Sequence, residues 1–221
     1  MIWSRNEGLE NVLLDEMMAN IKDPYRMHPS VTDLIYCLTR TFMDSEQEEV
    51  QHSRQTKLFF TTGLALEQTL LTNRRTTLAS GQLEGIYYHI DSLDHTNMIE
   101  FKSTRIKAGT EPDKLSYHKQ IMAYLKTQGQ TKVSLVILHV IQPELIAWNI
   151  EYTQEEIDSN WAWLQQRKDE WLVFKALGEV PTPYTFNQNW ECRRCNYKFY
   201  CTAYKTIQVK NQFQTVNFVE D

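Results

Sequence analysis

The sequence predicts an α/β protein in which a mixed central sheet is flanked by helices. Two runs of extended character, 81–93 and 98–104, are joined by a short polar segment that suits a tight turn, which is the pattern of a β-hairpin. A helical segment then separates this hairpin from an apolar run, 133–140, that is typical of a buried strand. This order of elements indicates an α/β core with a helical periphery.

The N-terminal part is predicted to be helical up to a break at Pro24 and Pro29. Ser30 then suits the N-cap of a second helix, 31–42, whose apolar face also carries Cys37. Helical periodicity returns over 58–71.

Further elements follow the hairpin. A helix is predicted over about 112–127, and alternating residues around Ile150 indicate another strand. Thr153 with Glu156 forms a capping-box signature for a long helix that ends near Gly178. The last dozen residues are expected to be a loose tail.

Composition is that of an ordinary folded protein. The chain has 221 residues, of which 42% are hydrophobic and 23% are charged. Its net charge of −5 argues against a protein that coats nucleic acid nonspecifically, because phosphate affinity comes largely from Lys and Arg. An enzyme that needs only a local basic groove is not excluded. Since no apolar run approaches a membrane span and the N-terminus lacks a signal-peptide layout, we expect an intracellular, cytoplasmic protein.

The first candidate catalytic residues are Glu100-Phe101-Lys102 in the second hairpin strand. Side chains alternate along a strand, so Glu100 and Lys102 share one face while Phe101 is expected to point into the core. Mg2+ or Mn2+ prefers oxygen ligands, and a nearby lysine can orient or help deprotonate the attacking water and stabilise charge on a phosphate. Taken alone, however, this pattern more often marks an exposed cross-strand ion pair.

A second carboxylate is expected near Glu100. Glu84 lies between glycines at the start of the preceding extended run, where a bend would let it reach the same metal. Asp91 is the alternative, because simple pairing across the turn places it opposite Glu100. The sequence does not separate the two.

Gln120 and Tyr124 lie four residues apart, on one face of the helix that follows the hairpin. An amide and a phenol there could contact a nucleic-acid strand or orient Lys102. Without further context, a tyrosine packed in the core beside a solvated glutamine is the simpler interpretation.

The cysteines predict a metal site. Cys192, Cys195 and Cys201 form C-x2-C-x5-C, and Cys37 is the fourth cysteine. Clustered cysteines of an intracellular protein bind metal or act in catalysis more often than they form disulfides. Four thiolates suit zinc or an iron-sulfur cluster, and the division into three plus one favours the cluster. In the alternative, zinc binds the C-terminal three with another ligand and Cys37 is merely buried.

In this order, the motifs resemble those of RecB-like nucleases of the PD-(D/E)XK superfamily that carry a 4Fe-4S cluster, and especially the CRISPR-associated exonuclease Cas-four family. The resemblance covers about residues 30–204, from Cys37 to the C-terminal cysteines. It implies a restriction-endonuclease-like core and an iron-sulfur-bound lobe. The implied activity is that of a single-strand-directed DNA exonuclease, sometimes with endonuclease action, that uses Mn2+ or Mg2+.

The resemblance also implies partners and a domain plan. It places the protein beside CRISPR integration proteins in spacer acquisition, although repair or phage DNA processing stays open, as does the oligomeric state. We expect one nuclease unit, in which residues 1–57 and 185–204 form the cluster-bound lobe, 58–184 the nuclease core and 205–221 the tail. The cluster is expected to be structural, because it closes a long loop of chain.

The resemblance also implies roles for individual residues that match the family's motifs. The resemblance implies that Glu100 and the carbonyl of Phe101 bind metal, that Lys102 serves the attacking water, and that Gln120 and Tyr124 form the Q-x-x-x-Y element. The cluster ligands would be the four cysteines, Cys37, Cys192, Cys195 and Cys201.

Two positions depart from the family pattern. Glu67 replaces the histidine that usually follows four residues after the glycine matching Gly63, and Glu84 replaces an aspartate. Both are oxygen ligands, so Glu67, Glu84 and Glu100 are all expected to bind the cation. A glutamate is one methylene longer than an aspartate, which leaves altered metal preference or reduced activity open. The alternative function is a noncatalytic DNA-binding or assembly subunit with the same fold and cluster.

Overall fold

The computed structural model describes residues 7–19, 28–47, 54–71, 77–94, 97–105, 114–183, 191–192 and 195–201. Four helices come first, three strands follow, and one helix then precedes two further strands and the last helix. The helices are α1 Glu7–Ala19, α2 Val31–Ile35, α3 Leu38–Ser45, α4 Arg54–Leu71, α5 Leu115–Gln128 and α6 Gln154–Leu177. The strands are β1 Thr77–Leu83, β2 Ile86–Asp94, β3 Asn97–Thr104, β4 Lys132–His139 and β5 Glu144–Glu151.

The strands form one mixed sheet in the order β1-β2-β3-β4-β5. All neighbouring pairs are antiparallel except β3 and β4, which run parallel from Met98↔Val133 to Thr104↔His139. A parallel pair requires a crossover connection, and α5 lies in the one between β3 and β4. The prediction of a mixed sheet flanked by helices is therefore confirmed.

The chain divides into two compact units. The first consists of Met1–Ile35 and His52–Glu170, and the second of Tyr36–Gln51 and Trp171–Asp221, so the boundary falls inside α6. The whole sheet lies in the first unit and all four cysteines lie in the second. In the first unit, α1 and α4 are joined by ion pairs such as Lys57 Nζ to Asp15 Oδ1 at 2.6 Å. The division into a cluster-bound lobe, 1–57 with 185–204, and a nuclease core, 58–184, stays a prediction.

The predicted strand 81–93 is two strands joined by a tight turn. β1 ends at Leu83, which pairs with Ile86, and only Glu84 and Gly85 lie between them. Both have positive φ, 46° and 82°, as a two-residue type I′ turn requires. Glycine accepts this conformation at no cost, and a Glu-Gly pair is a weaker turn signal than Asn-Gly or Asp-Gly.

The predicted helix 31–42 is broken at Cys37, which has extended backbone angles of φ −64° and ψ 114°. In a continuous helix the carbonyl of Leu34 would accept the N–H of the residue four positions later. Instead it accepts a hydrogen bond from the guanidinium Nε of Arg167. The N–H of Cys37 likewise leaves the helical pattern and donates to Glu191 Oε1 at 2.9 Å. Cys37 thus precedes α3 and does not lie on a helix face.

The helix signals in the sequence are confirmed at two N-termini. Ser30 Oγ accepts the N–H of Asp33 at 3.2 Å before α2, and Thr153 Oγ1 accepts the N–H of Glu156 at 3.2 Å before α6. The predicted start of α5 near residue 112 and the tail lie outside the described residues. No described helix combines the length and apolar character needed to cross a membrane.

The central strands are covered on both faces. Four consecutive residues of β3, from Met98 to Phe101, are each less than 9% exposed. On β4, Val133, Leu135 and Ile137 are buried, and the residues between them are half-buried. Glu100 therefore lies on a face of the sheet that is itself covered, as is the opposite face that carries Phe101.

We expect Gly85→Ala to lower the free energy of unfolding by about 1–2 kcal/mol, because an L side chain is strained at φ 82°. The atoms nearest to an added Cβ belong to the Lys168 side chain, at 3.5 Å, which is ordinary van der Waals contact, so the cost is conformational. Urea unfolding measures it. Gln82→Ala, an exposed neighbour in β1, is the control. Equal stability of the two variants would contradict the left-handed turn.

Candidate active site

Three carboxylates and one lysine gather beside β3. Glu67 comes from α4, Asp91 from β2, and Glu100 and Lys102 from β3; each carboxyl interacts electrostatically with Lys102. The described pairing of β2 with β3 begins at Ser92. Immediately before it, Asp91 Oδ2 accepts the Phe101 N–H at 2.7 Å, so a side chain takes the place of a strand carbonyl. We call these four residues the acidic group.

Glu100 is the most enclosed member of the acidic group, with 0% of its surface exposed. Its Oε1 accepts a hydrogen bond from Lys102 Nζ at 2.5 Å. Its Oε2 is buried and has no hydrogen-bond partner among the described residues. A buried carboxylate oxygen without a partner is costly. Because Glu100 is buried, the interpretation of Glu100 and Lys102 as an exposed surface ion pair does not apply.

Burial and mutual repulsion raise the carboxyl pKa values. The pKa of Glu67 rises to about 7, first through burial and then through Asp91, while Lys102 lowers it. Burial also raises the pKa of Asp91 and of Glu100 against the opposing effect of Lys102. One ammonium therefore does not compensate three carboxylates, which is the electrostatic condition that favours a bound cation.

Lys102 is held in its charged form. Burial lowers its pKa, but the carboxylates of Glu100 and Asp91 raise it more, so that the pKa lies above its usual value. Its Nζ also lies 5.7 Å from the centroid of the Tyr117 ring. A lysine in this state donates hydrogen bonds and positive charge and does not accept a proton.

Gln120 and Tyr124 meet on one face of α5, where Gln120 Nε2 donates to Tyr124 Oη at 2.8 Å. Tyr124 is 3% exposed, and burial raises its pKa, with Glu100 the next contributor. The phenol is thus protonated and close enough to the acidic group to interact with its charges.

Glu84 does not join the acidic group, and this corrects its expected position. It lies in the exposed β1–β2 turn, where its Oε2 accepts a hydrogen bond from Trp161 Nε1 at 2.8 Å. Asp91 follows seven residues later, which is about 23 Å along an extended strand. Of the two carboxylates that the sequence left open, the structure brings Asp91 beside Glu100. The register of the hairpin was the signal for it.

The four cysteines all lie in the second compact unit. None forms a disulfide; Cys37 is buried, Cys195 and Cys201 are partly buried, and Cys192 is exposed. Burial raises the pKa of Cys195, and Cys37 is among the nearby groups that raise it further.

Glu191 joins the two cysteine-bearing segments, and sequence reasoning missed it. It is 4% exposed, and its Oε1 accepts the Cys37 N–H at 2.9 Å. Its partner Arg40 lies at 3.6 Å. A carboxylate directly before a cysteine is an ordinary sequence feature, so only its position next to Cys192 could have drawn notice.

A comparison with protein-family models matches residues 7–202 to the PD-(D/E)XK nuclease superfamily. The chain belongs to this superfamily. The acid-x-Lys form in the family's name is present as Glu100-Phe101-Lys102. A comparison with curated proteins gives no match.

A comparison with solved structures finds chains of similar fold. The crystal structure of SSO0001 has a TM-score of 0.57 and 22% sequence identity, and the alignment covers 89% of this chain and 95% of that one. An alkaline exonuclease, LHK-Exo from Laribacter hongkongensis, has a TM-score of 0.44 and 16% identity over 74% of this chain and 97% of that one. The structure of LHK-Exo in complex with dAMP has a TM-score of 0.47 and 15% identity, again over 74% of this chain and 97% of that one. Of these three structures, SSO0001 alone has a TM-score above 0.5.

Membership in the PD-(D/E)XK superfamily supports a nuclease and a divalent metal cofactor. In the described part of the chain, no three His, Cys, Asp or Glu side chains are arranged closely enough to hold a metal ion. The acidic group nevertheless fits a cation chemically, because it offers carboxylate oxygens in excess and one of them, Glu100 Oε2, is buried without a partner.

We expect the metal-free protein to lose stability as pH rises. The pKa of Glu67 is about 7 in the folded protein and 4.5 ordinarily. A raised carboxyl pKa gives stability that is fully present below the unfolded pKa and is lost as pH rises through the folded one, here between about pH 4.5 and 7. Melting temperatures in EDTA across this window test the prediction.

Glu67→Gln should reduce this loss, whereas Glu151→Gln, at an exposed position on β5, should leave it unchanged. The raised pKa of Asp91 and of Glu100 means that part of the loss persists in Glu67→Gln. A Glu67→Gln profile identical to that of the parent protein would contradict the assignment.

Proposed function

We propose that this protein is a divalent-metal-dependent DNA nuclease that acts on single-stranded DNA, mainly as an exonuclease. The observation that carries the proposal is the acidic group, in which a fully buried Glu100 and its partner Lys102 lie with Glu67 and Asp91. Preference for single strands and for chain ends is supported by the motif resemblance to the Cas-four family.

The cation would be held by the carboxylates of Glu67, Asp91 and Glu100 and by the carbonyl of Phe101. A bound Mg2+ or Mn2+ supplies Lewis-acid polarisation of the phosphate and a more acidic water. Two features support this ligand set: the excess of carboxylate over ammonium charge, and the unpartnered Oε2 of Glu100.

The other residues would act on the phosphate and the water through charge and hydrogen bonds. Lys102, protonated, orients the attacking water and stabilises negative charge that develops on the phosphate. It does not serve as the base, because Glu100 and Asp91 keep its pKa above the usual value despite burial. Gln120 and Tyr124 support the group from α5, where their hydrogen bond fixes the phenol.

The position of Asp91 weakens the case for a noncatalytic subunit. That alternative began with Glu84 and Glu67, which depart from the family pattern. With Asp91 beside Glu100, the aspartate is present and Glu84 need not replace it. Glu67 remains the one departure, and it is itself an oxygen ligand.

Lys102→Ala should lower the rate of cleavage of labelled single-stranded DNA by about 100- to 1,000-fold in Mn2+, because charge stabilisation in the transition state is lost. Asp91→Asn should behave similarly. Glu84→Gln is the matched control, since it alters a carboxylate in an exposed turn, and should cut at the parent rate.

Full activity of Lys102→Ala would refute the catalytic assignment. Loss of activity in Glu84→Gln with full activity in Asp91→Asn would return the second ligand to Glu84. Strong DNA binding without cleavage in any divalent metal would favour the noncatalytic subunit.

We also propose that Cys37, Cys192, Cys195 and Cys201 bind a structural 4Fe-4S cluster. Support comes from their common compact unit, from the electrostatic interaction of Cys37 with Cys195, and from the hydrogen bond of Glu191 to the Cys37 N–H, which holds the two segments together.

Anaerobically purified protein should be brown, with about four iron atoms per chain. Cys195→Ser should lose iron and melt at a lower temperature, whereas Phe199→Ser, an exposed residue of the same segment, should keep its iron. A colourless protein with one bound zinc would refute the cluster.

The biological role follows the resemblance alone. We propose processing of single-stranded ends during CRISPR spacer acquisition, beside the integration proteins. Pull-down with such proteins tests it, and activity without any such association would favour DNA repair.

A further inference from the structure

The end of β3 carries a cation that the proposed chemistry does not use. Arg105 follows β3 directly, its side chain is exposed, and its guanidinium carbon lies 4.2 Å from the centroid of the Phe59 ring. Within the described ranges, no carboxylate pairs with Arg105. Arg54, on the same helix as Phe59, is instead paired with Glu10. An exposed arginine with unused donors therefore lies over an aromatic ring.

One row of α4 connects this pair to the acidic group. Phe59, Gly63 and Glu67 are spaced four residues apart, so they lie along one face of the helix. A Cβ added at Gly63 would lie 3.7 Å from Ser103 Oγ, so α4 passes close to β3 at this point. The row thus runs from Glu67, in the acidic group, to Phe59, which lies about 12 Å away along the helix axis. Arg105 lies over the Phe59 ring at that end of the row.

Phosphate is the ligand that this arrangement fits. A guanidinium stacked on a ring keeps its planar fork free for two parallel N–H···O bonds, a geometry that matches a phosphate. The ring also restricts the side chain, which lowers the entropy lost on binding.

The charge distribution also favours a phosphate ligand. The chain has a net charge of −5 and three carboxylates at the acidic group, so a polyanionic strand is repelled unless a cation lies along its path. Arg105 places such a cation at the end of the strand that carries Glu100 and Lys102.

We propose that Arg105, supported by the ring of Phe59, binds a backbone phosphate of the DNA strand beyond the scissile phosphate. The inference rests on the proposed nuclease function and adds a substrate-binding residue to it. A phosphate contact carries no sequence information, but it fixes the register in which the strand crosses the acidic group.

The test compares Arg105→Gln with Lys132→Gln, which removes the same charge from an exposed residue at the opposite end of the parallel strands. Binding of a fluorescein-labelled single-stranded oligonucleotide is measured by anisotropy at several salt concentrations, with Ca2+ in place of Mn2+. Cleavage kinetics are measured in Mn2+. Melting temperatures confirm that both variants are folded.

Arg105→Gln should weaken binding and raise KM about tenfold while leaving kcat nearly unchanged. The slope of log K against log salt should fall by about 0.7, the value for one lost phosphate contact on a single strand. Arg105→Lys and Phe59→Leu should give intermediate losses, because the first keeps the charge without the fork and the second keeps the apolar volume without the ring.

Two results would overturn the proposal in different ways. If the parent protein cuts DNA and Arg105→Gln matches Lys132→Gln in KM and salt slope, Arg105 does not bind phosphate and the nuclease function still holds. If the parent protein neither binds nor cuts DNA, the nuclease function fails and this inference fails with it.

Discussion

Complete burial of Glu100 beside Lys102 is the constraint on which the rest of the site depends. A desolvated carboxylate is stable only with compensating charge and hydrogen bonds. Lys102 gives both to one oxygen of Glu100, and the other oxygen has no partner among the described residues. With Asp91 and Glu67 nearby, the carboxyl groups outnumber the single ammonium, and the pKa of each carboxyl is raised. Such a group costs stability, and that cost is understandable if the group has a cation to bind.

Three features of the fold position the acidic group and its neighbours. β3 is covered on both faces, which removes water from Glu100. The described β2–β3 pairing begins just after Asp91, which leaves that side chain to accept a backbone N–H of β3. α5 makes the crossover that the parallel pair β3–β4 needs and also presents Gln120 and Tyr124. The acidic group thus lies beside the strand that pairs antiparallel with β2 and parallel with β4.

The elements that the sequence predicted well are those with local causes. The capping residues Ser30 and Thr153 mark the starts of their helices. The apolar run of β4 and the order of elements predict the α/β class. Glu100 and Lys102 were found because alternation in a strand is a local rule. Asp91 and Glu84 remained equal candidates for the second carboxylate, since a Glu-Gly turn inside an extended run is hard to recognise from the sequence.

The features that escaped prediction have distant causes. The face shared by Glu100 and Lys102 is covered by other elements, so its burial could not be deduced from alternation alone. The break at Cys37 lies within a stretch whose periodicity is helical throughout. It arises because Arg167 and Glu191 take the backbone groups that the helix would have used, and neither residue is near Cys37 in sequence.

That break also has a consequence for biosynthesis. Its two hydrogen bonds span 133 and 154 residues, so neither can form while the ribosome has made only the first half of the chain. Until then, residues 31–42 are free to form the uninterrupted helix that their own periodicity favours. The mature conformation around Cys37 is therefore completed only after Glu191 has been synthesised, near the end of the chain.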